Sequence, residues 1–271
     1  NPAKVNLGVG VYFDEQGKLP LLKCVQEAER LMQESPKPRG YLPIDGIAAY
    51  DAAVKALVFG AGSQLVQAAR VATVQALGGT GALKIGADFL KQLRPGAKVL
   101  ISDPSWENHR ALFTQAGFEV GSYRYYDAAT RRLDFEGMLA DLKAAAPGTI
   151  VVLHACCHNP TGYDISAAQW DQVVAAVRAG GLTPFLDMAY QGFGYGLAED
   201  GVAVAKFVAA GLEVFVSTSF SKSFSLYGER VGALSVVCAS KDEAARVLSQ
   251  LKIRLRTNYS IPPLHGASIV A

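Results

Sequence analysis

The stretch KVLISDPSWENHRALFTQ (residues 98–115) sets the fold class, because its hydrophobic pattern changes period midway. Its first six residues form a short, nearly continuous apolar run that reads as a strand, and residues 108–115 read as a helix. The alternation repeats along the chain. FEVGSYRY (118–125) precedes a helix expected over 135–145, and TIVVLHA (149–155) precedes one over 167–179. TPFLD (183–187) and EVFVSTS (213–219) are strand-like runs separated by another helix. Upstream, Pro20 is expected to open a helix through Leu31, and a second covers 47–59. Short apolar strands separated by amphipathic helices predict βαβ units. The expected architecture is α/β: a three-layer α/β/α domain over 20–271, its mostly parallel sheet covered on both faces. Residues 1–19, extended in pattern from KVNLGVGVYFDEQGKLP (4–20), are expected to belong to a separate, smaller domain.

Composition narrows the function classes. Half of the 271 residues are hydrophobic and 18% are charged, which is globular and excludes a disordered chain. Lys+Arg total 26 against 24 Asp+Glu, a balance that argues against nucleic-acid binding or a polybasic membrane patch. The longest stretch free of charge, between Lys143 and Asp164, holds Pro147, Gly148, Asn159, Pro160 and Gly162, which together rule out a lipid-spanning helix there. No signal peptide is visible. Four cysteines without CxxC spacing fit neither a disulfide framework nor a zinc site, so a reducing, cytoplasmic compartment is expected. The chain starts at Asn1 and stops inside an apolar helical pattern, GASIVA (266–271), so both ends read as cut from a longer polypeptide.

In a parallel sheet the ligand crevice lies outside the carboxyl ends of the strands. The residues there are Asp103 to Trp106, His154 to Gly162, Asp187 to Tyr190 and Ser219 to Lys222. An acid, a lysine, an indole, an amide and a phenol converging on one crevice suit a planar, charged ligand. GGTGALKIGADFL from Gly78 runs glycines into a helix, a phosphate-binding arrangement, although it fits neither Walker A nor GxGxxG; a plain helix start is the competing reading. Lys222 is flanked by serines and phenylalanines just past a strand. Lysine is the amine that forms Schiff bases, and burial or a neighbouring cation frees it as a nucleophile; the alternative is a surface lysine in a Ser-rich loop. Arg230, eight residues on, offers a forked cation for a phosphate. Asp187 ends an apolar run and needs a cation, which a protonated ring nitrogen would supply; a helix cap or a metal ligand competes, and no ligand-spaced pair lies near it in sequence. Trp106 either stacks on a flat ring or covers the end of the sheet. The Asn159–Gly162 turn leaves the Asn159 amide free to donate, and Cys156 and Cys157 read as small apolar fillers. No G-x-S-x-G elbow is present.

The strings YLPIDG, GGTGAL, DPSWENH, CCHNPTG, DMAYQGFG and SFSKSFSLYGERVG, in this order, resemble the class I aminotransferases of pyridoxal-phosphate fold type I over nearly the whole chain. The resemblance implies that Lys222 carries the cofactor covalently and shuttles the substrate proton. Asp187 would hold the pyridine nitrogen protonated, with His109 and His154 behind it. Asn159 and Tyr190 would bond the ring's O3′, and Trp106 would stack on the ring. The phosphate would lie among Gly79, Thr80, Ser219, Ser221 and Arg230, with Tyr41 entering from the second subunit of a homodimer. Gly10, Trp106, Asn159 and Arg256 would meet the substrate, Arg256 binding a side-chain carboxylate across the interface. No metal is implied. The family passes an amino group from an amino acid to a 2-oxo acid such as 2-oxoglutarate in a ping-pong cycle. Phe13, Leu19, Gly40 and Ile261, where the aspartate branch tends to be polar, favour aromatic substrates, whereas Thr80 leans towards aspartate. The family's α-carboxylate arginine belongs to a C-terminal small domain lying beyond these 271 residues. A non-catalytic cofactor-binding fragment is therefore the competing expectation.

Overall fold

The computed structural model describes Lys4, Gly8 and residues 10–271; most of the extended pattern expected over 4–9 lies outside the described residues. A seven-stranded sheet organises the chain. Its strands are β1 (Val71–Leu77), β2 (Lys98–Asp103), β3 (Glu119–Arg124), β6 (Ile150–His154), β7 (Thr183–Met188), β8 (Phe215–Ser219) and β9 (Val231–Val237), in the spatial order β1-β9-β8-β7-β6-β2-β3. A two-stranded ribbon, β4 (Tyr126–Asp127) with β5 (Arg132–Leu133), lies outside it. The pairs from β8 through β3 are parallel, as the alternation predicts. β9 runs antiparallel to both β8 and β1. The carboxyl ends of β1, β8, β7, β6 and β2 therefore share one edge, where β9 begins.

The strands read as unbroken apolar runs because both faces are covered. In β6, Ile150 and Val152 point into one hydrophobic layer and Val151 and Leu153 into the other, and all four are buried. The first layer is closed by α4 (Gly78–Leu93), α5 (Glu107–Gln115) and α10 (Lys241–Asn258), through Leu83, Ile85, Phe113, Leu251 and Leu255. The second is closed by α2 (Ala48–Phe59), α6 (Phe135–Ala144), α7 (Ala167–Ala179), α9 (Val202–Ala209) and α11 (His265–Val270). Helix α7 starts on a full capping box between Ser166 and Gln169, which accounts for its sharp onset.

Helix α1 (Lys23–Glu34) begins and ends three residues later than the sequence suggests. Leu22 is extended (φ −70°, ψ 137°), so the chain turns helical only after it. Arg30, bonded to Glu27 and to Glu34, carries the last turn past Leu31. No helix among the described residues is long and apolar enough to cross a membrane.

Candidate active site

The site is assembled at the shared edge of the sheet. β1 delivers Gly78, which opens α4 in a left-handed conformation (φ +66°). A Cβ on Gly78 would stand 2.6 Å from Nη2 of Arg230, so the guanidinium lies directly on the glycine. Gly232, the second residue of β9, is just as constrained: its Cβ would come within 2.3 Å of the Gly78 carbonyl carbon. These contacts draw the amino end of α4, the start of β9 and Arg230 together. No side chain caps α4, so the first-turn N–H groups of Gly79 and Thr80 are not taken up by one. Ser219 ends β8 beside Gly79, and its Oγ accepts from the Ser221 N–H (3.3 Å). Arg230 donates from Nη1 to the Tyr227 carbonyl (2.7 Å) and, more weakly, to Ser221 Oγ (3.4 Å). Open helix amides, two serines and a forked cation form a cradle for a phosphate.

Lys222 is half-buried in the loop between β8 and β9. Its Nζ donates to the Gly10 carbonyl (2.9 Å) and lies 5.1 Å and 5.9 Å from the ring centres of Tyr227 and Tyr190. Burial, and then the neighbouring Arg230, lower its pKa from the usual lysine value. Gly10 belongs to a segment held over the loop by the Tyr12 N–H bonded to Tyr227 Oη (2.9 Å).

At the next strand Asp187 is buried. His109, itself fully buried, binds its Oδ2 from Nε2 at 2.8 Å. A carboxylate only accepts, so Nε2 carries the proton, while Nδ1 is hydrogen-bonded to Ser105 Oγ (2.9 Å). The aspartate is thereby oriented by an imidazole that is itself held from behind. His154, opposite Asp187 in the β6–β7 register, packs tilted against His109 with ring centres 4.9 Å apart, but its Nε2 has no hydrogen-bond partner among the described residues. Burial, with His109 adding to it, pushes His154 down to about 4.

His109, His154 and Asp187 bring three metal-type donor atoms within 4.8 Å, a convergence invisible to sequence spacing because it is made across strands. Both nitrogens of His109 are already bonded to protein, which makes the group a hydrogen-bonded relay rather than an open ligand set.

Trp106 is half-buried, edge-on to His109 at 5.3 Å. The Asn159 amide lies against the Tyr190 phenol, whose pKa is raised by burial and then by Asp187. Cys156 is buried and Cys157 half-buried, and burial pushes the Cys157 thiol up to about 11, so both are protonated packing groups at neutral pH. The structure thus gathers Gly10, Gly79, Thr80, Trp106, Asn159, Asp187, Tyr190, Ser219, Ser221, Lys222 and Arg230 around one crevice, with His109 and His154 behind it.

Tyr41 and Arg256 stand apart from this cluster. Tyr41 is 94% exposed, and Arg256, at the end of α10, is exposed and bonded to Ser260. Phe13, Leu19 and Gly40 are exposed and Ile261 half-buried. Ser105, inside the Asp103–Trp106 strand end but without an assigned role in the sequence, holds His109 four residues on, and Tyr227, not singled out by the sequence, acts on Tyr12 far away in the chain. The fit is to a flat ring with a phosphate at one end, a basic nitrogen that Asp187 would keep protonated, and a carbonyl within reach of Lys222.

A family model described as aminotransferase class I and II matches residues 2–271. The chain is 63% identical over 270 residues to an aspartate aminotransferase of Pseudomonas aeruginosa, covering 100% of this chain and 68% of that protein. It is 52% identical over 269 residues to an aromatic-amino-acid aminotransferase of Escherichia coli, covering 99% and 68%. Among solved structures, an aromatic-amino-acid aminotransferase from Burkholderia pseudomallei covalently bound to pyridoxal phosphate superposes with a TM-score of 0.98 at 68% identity, covering 100% of this chain and 68% of that one.

Proposed function

The chain belongs to the class I and II aminotransferases, and on that premise we propose that it moves the amino group of an aromatic amino acid to 2-oxoglutarate, using pyridoxal phosphate. The observation that carries the reading is the placing of Lys222 Nζ, with its lowered pKa, in the same crevice as the Arg230 cradle and the His109–Asp187 pair. Bound pyridoxal phosphate supplies a carbonyl that takes amines and a protonated ring that withdraws electrons from the substrate Cα.

The chain's residues do the rest. Gly79, Thr80, Ser219, Ser221 and Arg230 hold the phosphate, with Tyr41 of a second subunit completing the cradle. Asp187 holds the proton on the ring nitrogen, and His109 keeps its carboxylate aimed. Asn159 and Tyr190 donate to O3′, while Trp106 covers the ring and excludes water from one face. Lys222 anchors the cofactor and, once freed, its Nζ moves the proton at the substrate Cα. Gly10 closes over this nitrogen and contributes to substrate binding. Arg256 reaches across a homodimer interface to a substrate carboxylate, consistent with its exposure here.

Residues 20–271 serve as the cofactor domain, residues 1–19 as part of a small domain whose remainder lies C-terminal in the family. Four free thiols suit a cytoplasmic setting. The aromatic preference is supported by Phe13 and Leu19, apolar and exposed, and by the 68% identity to the Burkholderia pseudomallei structure. Aspartate is the second reading, favoured by the 63% identity to the Pseudomonas aeruginosa protein.

Single-turnover absorbance of the cofactor-loaded protein, mixed separately with phenylalanine, tyrosine and aspartate, tests both. Conversion by the aromatics at least as fast as by aspartate supports the first reading, and faster conversion by aspartate supports the second. A loaded protein that responds to none would be a binding fragment.

A further inference from the structure

His158 sits one residue before Asn159 and is 2% exposed, yet none of the roles above uses it. Both of its ring nitrogens are engaged. Nδ1 meets Thr161 Oγ1 at 2.8 Å within its own turn, and Nε2 meets Ser102 Oγ at 2.9 Å, 56 residues away at the end of β2. Its ring lies flat on Tyr125, with centroids 3.8 Å apart and planes 13° from parallel. Burial, with His154 beside it, pushes its pKa far down, so the ring stays neutral: one nitrogen donates and the other accepts.

The segment it belongs to needs holding. Cys157 is in the left-handed region (φ +50°), a conformation that strains a non-glycine residue. Asp164 offsets part of that strain by accepting the N–H groups of Cys157 (2.7 Å) and His158 (2.8 Å). Those bonds are local to the loop. The Ser102 bond is different, because it fastens the Asn159 turn to the strand end that leads into Ser105, Trp106 and His109. Two walls of the crevice, one bearing the amide aimed at O3′ and the other the indole and the aspartate's imidazole, are hydrogen-bonded to each other through this ring.

We propose that His158 is a positioning residue: through Ser102 it locks the Asn159 turn to the end of β2 and thereby fixes the aim of the Asn159 amide on the cofactor. The inference rests on the aminotransferase reading. A donor held on O3′ favours the unprotonated form of the bound cofactor's visible chromophore, so loosening that donor raises the midpoint of its pH titration.

The test is this titration in four loaded proteins, with the cofactor release rate and the thermal unfolding midpoint measured alongside. His158→Phe keeps the stacking and loses both hydrogen bonds. His158→Gln places an amide near Nε2 and keeps the Ser102 tie, whereas His158→Asn places one near Nδ1 and keeps only the Thr161 tie. His158→Phe and His158→Asn are expected to raise the midpoint by about one pH unit and to speed cofactor release about tenfold. His158→Gln should stay within about 0.3 unit of the parent. Should His158→Phe not fold, Ser102→Ala removes the same tie from the other side and should give the same shift. In an Asn159→Ala background His158→Phe should add nothing.

A lowered unfolding midpoint with an unmoved titration, equal behaviour of the Gln and Asn variants, or additivity with Asn159→Ala would each overturn the positioning role and leave the aminotransferase reading intact. A parent protein that develops no visible cofactor band would overturn that reading and the positioning role with it.

Discussion

Gly78→Ala separates the cradle's geometry from its charge. The new methyl would sit 2.6 Å from Arg230 Nη2 and 3.1 Å from Cζ, inside van der Waals contact. These atoms are the far end of a flexible side chain, so the guanidinium swings aside rather than the backbone parting. The fold then bears only the cost of a non-glycine residue at φ +66°, about 1–2 kcal/mol. The site loses more. An arginine displaced from a phosphate forfeits a charge-assisted hydrogen bond worth about 1.5–3 kcal/mol, which is a roughly tenfold to hundredfold weaker dissociation constant for pyridoxal phosphate. Fluorescence titration of cofactor-free protein measures this, and denaturant unfolding measures the strain. The decisive comparison is the double-mutant cycle with Arg230→Ala. If Gly78→Ala acts through the guanidinium, its effect on affinity shrinks to less than about twofold once Arg230 is gone. An equal loss in both backgrounds, or undiminished affinity in the single variant, would refute the reasoning.

Lys222→Ala should abolish the borohydride-fixable attachment of cofactor, read by intact mass, while the phosphate cradle still binds cofactor reversibly; a retained covalent adduct would remove Lys222 from its role. Arg256→Ala should lower kcat/KM for aspartate and 2-oxoglutarate about tenfold to a hundredfold and leave phenylalanine nearly unchanged, since only the dicarboxylates need that cation; equal losses for all would place Arg256 outside the site. Acidification should weaken the cofactor-free fold between about pH 6.5 and pH 4. His154 titrates near 6.5 when unfolded and at about 4 when folded, so over this window the unfolded chain binds the extra proton and stability falls as pH falls. The His154 share of this amounts to roughly 3 kcal/mol. His158, whose pKa burial also pushes far down, adds to the loss, so His154→Gln should make the profile of unfolding midpoint against pH shallower without abolishing its slope.

The central strands were legible because β2, β6 and β7 are short apolar runs with turn signals at both ends. β1 and β9 were not read as strands. VATVQAL runs without a break into the glycines of α4, and VGALSVV follows the lysine loop with small residues that suit helix, strand or turn equally. Their identity is decided by pairing with each other, Val71 against Val237, and local pattern carries no trace of that. The site divides in the same way. Residues at or just past a strand end, such as Asp187 and Lys222, are visible from position alone. Tyr227 on the Tyr12 backbone and the Gly10 carbonyl on Lys222 depend on where distant segments come to rest. The register of Asp187 with His154 likewise needs the sheet to be built before the imidazole cluster exists.

The antiparallel strand β9 has one more effect. The loop bearing Lys222 leaves from Ser219 and returns at Val231, and these two ends are tied by the Phe220 N–H to the Val231 carbonyl (3.0 Å) and by the pairing of Ser219 with Gly232. Lys222 and Arg230, the tether and clamp of the proposed function, therefore hang from a single β-ladder, and the Arg230 carbonyl also accepts the N–H of Gly78 (3.0 Å). Such a holder does not wear away residue by residue. Where the β8–β9 ladder stays closed, tether and clamp are both in place; where it opens, both let go together. Amide exchange in the loop and escape of the cofactor should then share one activation barrier and rise with temperature in step.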